Sequence, residues 1–167
     1  MKITAKFMVL FVALISFSAW AENPRVLLAF KLSPAGSFQA ESTAIKGSAT
    51  KVGDKITAKG ITLQLDSLKT GMELRDDHMK NKYLEVKKYP TAELITAEGS
   101  GGKGKATLKI RDVQKQVEGT YELLAGGLLK ANFTFNLKDF NVTGVKHLGV
   151  GVKDEVAATV IVSVTGK

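Results

Sequence analysis

From Val26 onward apolar and polar side chains alternate, most strictly in Leu129-Lys130-Ala131-Asn132-Phe133-Thr134-Phe135-Asn136-Leu137-Lys138. A period of two turns one face of a segment to a core and the other to water, which is the pattern of a half-buried β-strand. The same alternation runs through residues 106–110, 117–123 and 156–164. Strands at this spacing predict an all-β antiparallel sandwich or barrel.

Residues 55–68 are long for one strand, and their apolar phase slips. Ile56 and Ala58 share one parity, whereas Ile61, Leu63 and Leu65 share the other, with Gly60 between them. A bulge or kink at Gly60 returns the apolar set to the core face and supplies the bend that a closing sheet needs. Turn chemistry separates the strands: Ser33-Pro34-Ala35-Gly36, Val52-Gly53-Asp54, Gly99-Ser100-Gly101-Gly102 and Gly126-Gly127. The last pair, between two alternating runs, marks a hairpin. Full closure into a barrel of about eight strands removes exposed sheet edges and leaves room for one small ligand.

One segment breaks the pattern. In residues 71–90, GMELRDDHMKNKYLEVKKYP, apolar positions recur at helical spacing through Leu74, His78 or Met79, and Tyr83, and Asp76 and Lys80 stand four apart as an ion pair would. This predicts one short helix over residues 73–83, stopped by Tyr89-Pro90, which favours extended backbone and a strand from Thr91 to Glu98. A polar, helix-prone insert in a β protein belongs at an end of the sheet, where ligands enter barrels.

The first 21 residues stand apart from the fold. Lys2 and Lys6 precede an apolar run from Phe7 to Phe17, and Ala19-Trp20-Ala21 supplies small residues for cleavage. That is a secretory signal peptide, too short in its apolar run for a membrane span. Its removal from 167 residues leaves 146, the size of one domain over residues 22–167, and takes the net charge from +8 to +6 by deleting two lysines. The basic residues are spread along strand faces and no block of them is interleaved with aromatics, so nucleic acid is not an expected partner. Zero cysteines exclude disulfides, thiolate metal sites, a cysteine nucleophile and a lipid-modified N-terminal cysteine. Two histidines far apart in sequence give little material for zinc, and neither cofactor nor metal is expected.

Residues 99–106 match GxGxxG and come within one residue of a phosphate-binding loop, but Ala106 lacks the hydroxyl that would hold magnesium and the segment feeds a strand, not a helix. Asn132-Phe-Thr134 and Asn141-Val-Thr143 fit glycosylation sequons by chance. Asp76 or Asp77 can polarise His78, yet no nucleophile, metal motif or oxyanion donor accompanies them, so no catalytic residue is assigned. Arg75, Asp76 and His78 read either as a polar collar meeting a ligand head group, Arg75 being suited to phosphate oxygens, or as a clasp closing the barrel end. His147 reads as a strand or loop residue away from any site. Leu63, Leu65, Phe133 and Phe135 face the interior, as core or, if a cavity lies between them, as ligand contacts.

Leu68-Lys69-Thr70-Gly71, Arg75-Asp76-Asp77-His78-Met79 and Tyr83-Leu84-Glu85-Val86-Lys87-Lys88-Tyr89-Pro90-Thr91-Ala92 resemble, in residues and spacing, the YceI family of exported bacterial proteins. Residues 104–110 and 111–117 and the closing Val150-Gly-Val-Lys153-Asp154-Glu155-Val156 extend the resemblance over most of the chain. Two departures stand out: the opening strand is abbreviated and lacks the family's His-Ser pair, and Met79 replaces Leu after the motif histidine. The resemblance implies an antiparallel, lipocalin-like barrel in the periplasm, holding the tail of a polyisoprenoid, a quinone-like molecule or another long amphiphile. The expected contacts are Arg75, Asp76, His78, Tyr83, Leu63, Leu65, Phe133 and Phe135, with no turnover. Transient membrane-surface contact and a homodimer complete the expected partners. The alternatives are a barrel filled by its own side chains that works through a membrane or protein partner, and a hydrolase built on His78.

Overall fold

The alternating segments pair into one closed sheet. The computed structural model describes residues 22–166, so the signal-peptide reading lies outside the described residues. In chain order the elements are β1 (Arg25–Ser33), β2 (Ser37–Ser42), β3 (Ile45–Lys46), β4 (Ser48–Val52), β5 (Lys55–Gln64), α1 (Glu73–Asp77), β6 (Thr91–Ser100), β7 (Lys103–Ile110), β8 (Val113–Leu124), β9 (Leu128–Asn136), β10 (Lys146–His147) and β11 (Val150–Thr165). From β4 to β9 each of the longer strands pairs antiparallel with its sequence neighbour, and β11 closes the ring by pairing with β9 on one edge and β4 on the other. Seven strands therefore complete the barrel, with the remaining strands attached to it.

Closure departs from a wholly antiparallel reading at one place: β11 and β4 run parallel, Ser163 opposite Ser48 and Thr165 opposite Thr50. The same edge of β11 already carries β1 from Gly151 to Ile161. The β1–β2 hairpin thus widens one end of the barrel, and a two-way bridge between Glu41 and Lys69 (both N···O 2.9 Å) ties its outer strand to the chain after β5.

Gly60 takes a positive φ of 64°. Before it Ile56 is buried and after it Ile61 and Leu63 are buried, so the slip in the sequence is absorbed in a backbone conformation that costs glycine little. The hairpin at Gly126 and Gly127 forms as read, both with positive φ, and Leu124 pairs with Leu128. The phosphate-loop lookalike is a two-residue hairpin turn: Gly101 and Gly102 have φ of 59° and 79° between paired Ser100 and Lys103.

Turns 53–54, 101–102 and 125–127 lie at one end of the barrel, whereas residues 34–36, 65–90, 111–112 and 137–149 lie at the other. The insert therefore caps the end that β1 and β2 widen. At the opposite end the Tyr121 ring lies over Gly99, where an added Cβ would stand 2.6 Å from a ring carbon. Only glycine lets the ring approach so closely.

Candidate functional site

The chain leaving β5 makes a short turn, Leu65–Ser67, that buries Leu65, then Leu68, and α1 follows Met72. After one and a half turns α1 gives way to a π-helical stretch, His78–Tyr83, whose end is closed by the Leu84 N–H donating to the Met79 carbonyl at 2.9 Å. A π-turn spaces side chains differently from an α-turn and recurs at functional sites. Here Arg75, His78, Met79 and Tyr83 all border one cavity.

That cavity is about 430 Å³. Its walls are aliphatic and aromatic: Leu63 and Leu65, Phe133 and Phe135 from β9, Val26 and Phe30 from β1. Phe30 stacks on Phe38 of β2 (ring centroids 4.8 Å), and Phe135 meets buried Phe140 edge-on at 5.8 Å. Ile61, Leu94, Phe133 and Val160 form a floor, and beneath them lies a second chamber of about 90 Å³ lined by small residues such as Ala49, Ala58, Ala97 and Ala131, with Tyr121 beyond.

Polar groups gather only toward the insert. The Arg75 guanidinium sits 4.3 Å from the centre of the Phe38 ring, and its Nη2 reaches the Met72 sulfur at 3.7 Å. Cation–π contact orients the guanidinium while leaving N–H donors for a ligand. His78 and His147 stand with ring centroids 5.2 Å apart. The Tyr83 hydroxyl donates to the Lys146 carbonyl at 3.0 Å and accepts from the Lys146 N–H at 3.2 Å, which fastens β10 to the insert.

Seven of the eight residues read from the sequence as contacts, Arg75, His78, Tyr83, Leu63, Leu65, Phe133 and Phe135, border this cavity. Asp76 does not border it. Its carboxylate accepts from the Thr70 N–H at 2.8 Å and the Thr70 hydroxyl at 2.6 Å, folding the chain back before α1. Burial pushes this carboxyl up, but the two Thr70 hydrogen bonds, with Lys80 and Lys69 nearby, outweigh it and hold the group below its ordinary value of 3.8. Thr70, and not an ion pair to Lys80, is the close partner. The alternative readings of the motif thus divide between its residues: Asp76 is the clasp and Arg75 faces the cavity.

His147, read from the sequence as a strand or loop residue, lies in β10 and lines the cavity mouth beside His78. Lys146 and Phe38 border the cavity as well. No local signal distinguishes them, because each reaches the site through pairing that is distant in sequence. A second clasp carries no local signal either: Arg111 binds Glu85 and donates to the Asn141 carbonyl at 2.9 Å, linking three residues that all have positive φ. Asp77 accepts from the Asn81 amide at 2.7 Å, so the hydrogen bonds of both aspartates lead away from His78. Among the described residues no three His, Cys, Asp or Glu side chains gather as a metal set.

A closed seven-strand barrel with an apolar cavity inside and a few polar groups at the cavity mouth is a lipocalin-like fold. The chain belongs to the YceI-like domain family, whose model matches residues 25–164. Among solved structures it is similar to a polyisoprenoid binding domain from Saccharophagus degradans implicated in plant cell wall breakdown. The TM-score is 0.58 at 12% identity, with 83% of this chain and 91% of that chain covered. That likeness carries the fold. No curated protein matches by sequence.

Proposed function

We propose that this protein is an exported, non-catalytic carrier that holds the apolar tail of a long-chain amphiphile, isoprenoid in class, inside its barrel. One observation carries the reading: a cavity of about 430 Å³ with aliphatic and aromatic walls, whose polar groups stand at one end. A barrel filled by its own side chains would have no such space. Membership of the YceI-like family and the polyisoprenoid-binding description of the structural neighbour support the ligand class. The N-terminal signal pattern supports export to the periplasm.

The chamber also sets a scale. A methylene is about the size of a water molecule, which takes about 30 Å³, so the 430 Å³ chamber accommodates about 14 carbon-sized groups. Each buried methylene contributes about 0.8 kcal/mol, so the tail supplies the affinity and the polar groups at the mouth supply orientation. A ligand much longer than this leaves part of its chain at the mouth. Arg75 is placed to meet an anionic head group there.

The test is native mass spectrometry with lipid extraction on mature protein purified without detergent from its own cells. A defined adduct of lipid mass is expected. Bare protein that also refuses prenyl alcohols offered in solution would overturn the carrier reading, and recovery of the protein from the cytoplasmic fraction alone would overturn its location.

A further inference from the structure

The cavity mouth carries apolar side chains that nothing among the described residues covers. Among the described residues six large hydrophobics are exposed, and four of them, Met72 (51%), Leu74 (52%), Leu148 (90%) and Val150 (40%), border the mouth. Exposed apolar side chains scattered singly need no explanation, but four around one opening do. They sit on two elements that flank it, the start of α1 and the tip of the β10–β11 hairpin.

Leu148 is the most telling. It occupies the two-residue turn between paired His147 and Val150, with φ of 48°, followed by Gly149 at 81°. This left-handed conformation suits glycine, asparagine or aspartate, and a turn shaped for water would carry one of them. A leucine there is unfavourable in backbone and in hydration alike, and no packing among the described residues compensates for it.

We propose that this rim docks the barrel mouth-first on a lipid bilayer containing anionic lipids, with Leu148 and Leu74 inserted among the head groups. Two further observations favour a bilayer over a protein partner. The rim is continuous with an apolar chamber, so seating it on a membrane lets an insoluble tail move from one apolar phase to the other without crossing water. Residues 69–82 and 145–153, which carry the rim, hold six basic side chains against three acidic ones. Apolar tips amid an excess of lysine and arginine are the composition of surfaces that lie in a membrane interface. The docking stands on the rim alone; only the transfer of a tail through it rests on the carrier reading.

The experiment is flotation of the mature protein with vesicles of phosphatidylethanolamine and phosphatidylglycerol, beside uptake of a fluorescent prenyl alcohol from solution. The proteins compared are the wild type, Leu148→Asn, the pair Leu74→Asp with Leu148→Asp, and Val52→Asp at the opposite end of the barrel. The wild type and Val52→Asp are expected to float alike, and the double variant to partition at least tenfold less with its circular dichroism and melting temperature unchanged. Leu148→Asn should melt no lower than the wild type, since asparagine fits the turn, yet float less. A wild type that ignores these vesicles, or a double variant that floats undiminished, would overturn the proposal. Absent uptake in every protein with flotation intact would instead sink the carrier reading and leave the docking standing.

Discussion

Phe133 separates the two chambers of the barrel, and truncating it should change which tail lengths the protein accepts. It is the largest of the four side chains that border both spaces. Phe133→Ala joins the deeper 90 Å³ chamber to the main one, and at about 30 Å³ per methylene-sized group this admits about three more carbons. At about 0.8 kcal/mol each these contribute about 2.4 kcal/mol, close to 50-fold in Kd at about 1.4 kcal/mol per decade. The assay is a titration of wild type and variant with two prenyl or alkyl alcohols, one of about 14 tail carbons and one about three carbons longer. The wild type should bind the two with similar affinity and the variant should favour the longer by about 50-fold. The variant loses about 2–3 kcal/mol of stability, less than a fully buried phenylalanine would, because its ring already faces a void; that loss is common to both ligands and cancels in the ratio. A folded variant with the wild-type ratio would refute the two-chamber account of the floor.

Three other perturbations separate the roles at the mouth. Arg75→Ala should weaken a pyrophosphate-headed amphiphile by about 10- to 100-fold, the worth of a hydrogen bond to a charged group, while shifting a neutral ligand of equal tail length less than about threefold; equal losses in calorimetric titration would make Arg75 structural. Phe135→Asp places a charge on the chamber wall and should abolish uptake of a fluorescent prenyl alcohol in protein whose circular dichroism is unchanged, and undiminished uptake would locate the tail elsewhere. Asp76→Ala should cost about 2–3 kcal/mol in urea unfolding by leaving the Thr70 donors unpaired, and Asp76→Asn less. Because the folded carboxyl is held below its ordinary 3.8, its stabilisation is complete above that value and is lost as pH falls below it. The gap between wild type and Asp76→Asn should therefore close in that acid range, and a gap that persists there would contradict the clasp.

The strands were legible because alternation is a local property: a side chain at every second position must face the core, whatever the partner strand. The phase slip at Gly60, the turn at Gly126-Gly127 and the helical insert over residues 73–83 were legible for the same reason, each being written in neighbouring residues. The motif from Arg75 to His78 marked the right end of the barrel, but its chemistry divided in a way spacing could not show. Asp76 and Lys80 fit an ion pair at helical spacing, yet the Thr70 N–H, freed where the chain turns into α1, is a closer and better directed donor.

Local residue pattern specifies a β protein with alternating faces and a polar insert at one end, and the motif spacing carries the family likeness that names the barrel. Tertiary structure alone decided three things. The parallel pairing of β11 with β4 joins residues far apart in the chain, where no local pattern records a partner. The same pairing of distant segments brings His147 to His78 and lifts Leu148 to the rim. Whether the barrel is hollow was decided there too. Inward-facing leucines and phenylalanines alternate identically in a filled barrel and an empty one, and only the distance between opposite walls, set by strand number and by the β1–β2 hairpin that widens one end, leaves space among them.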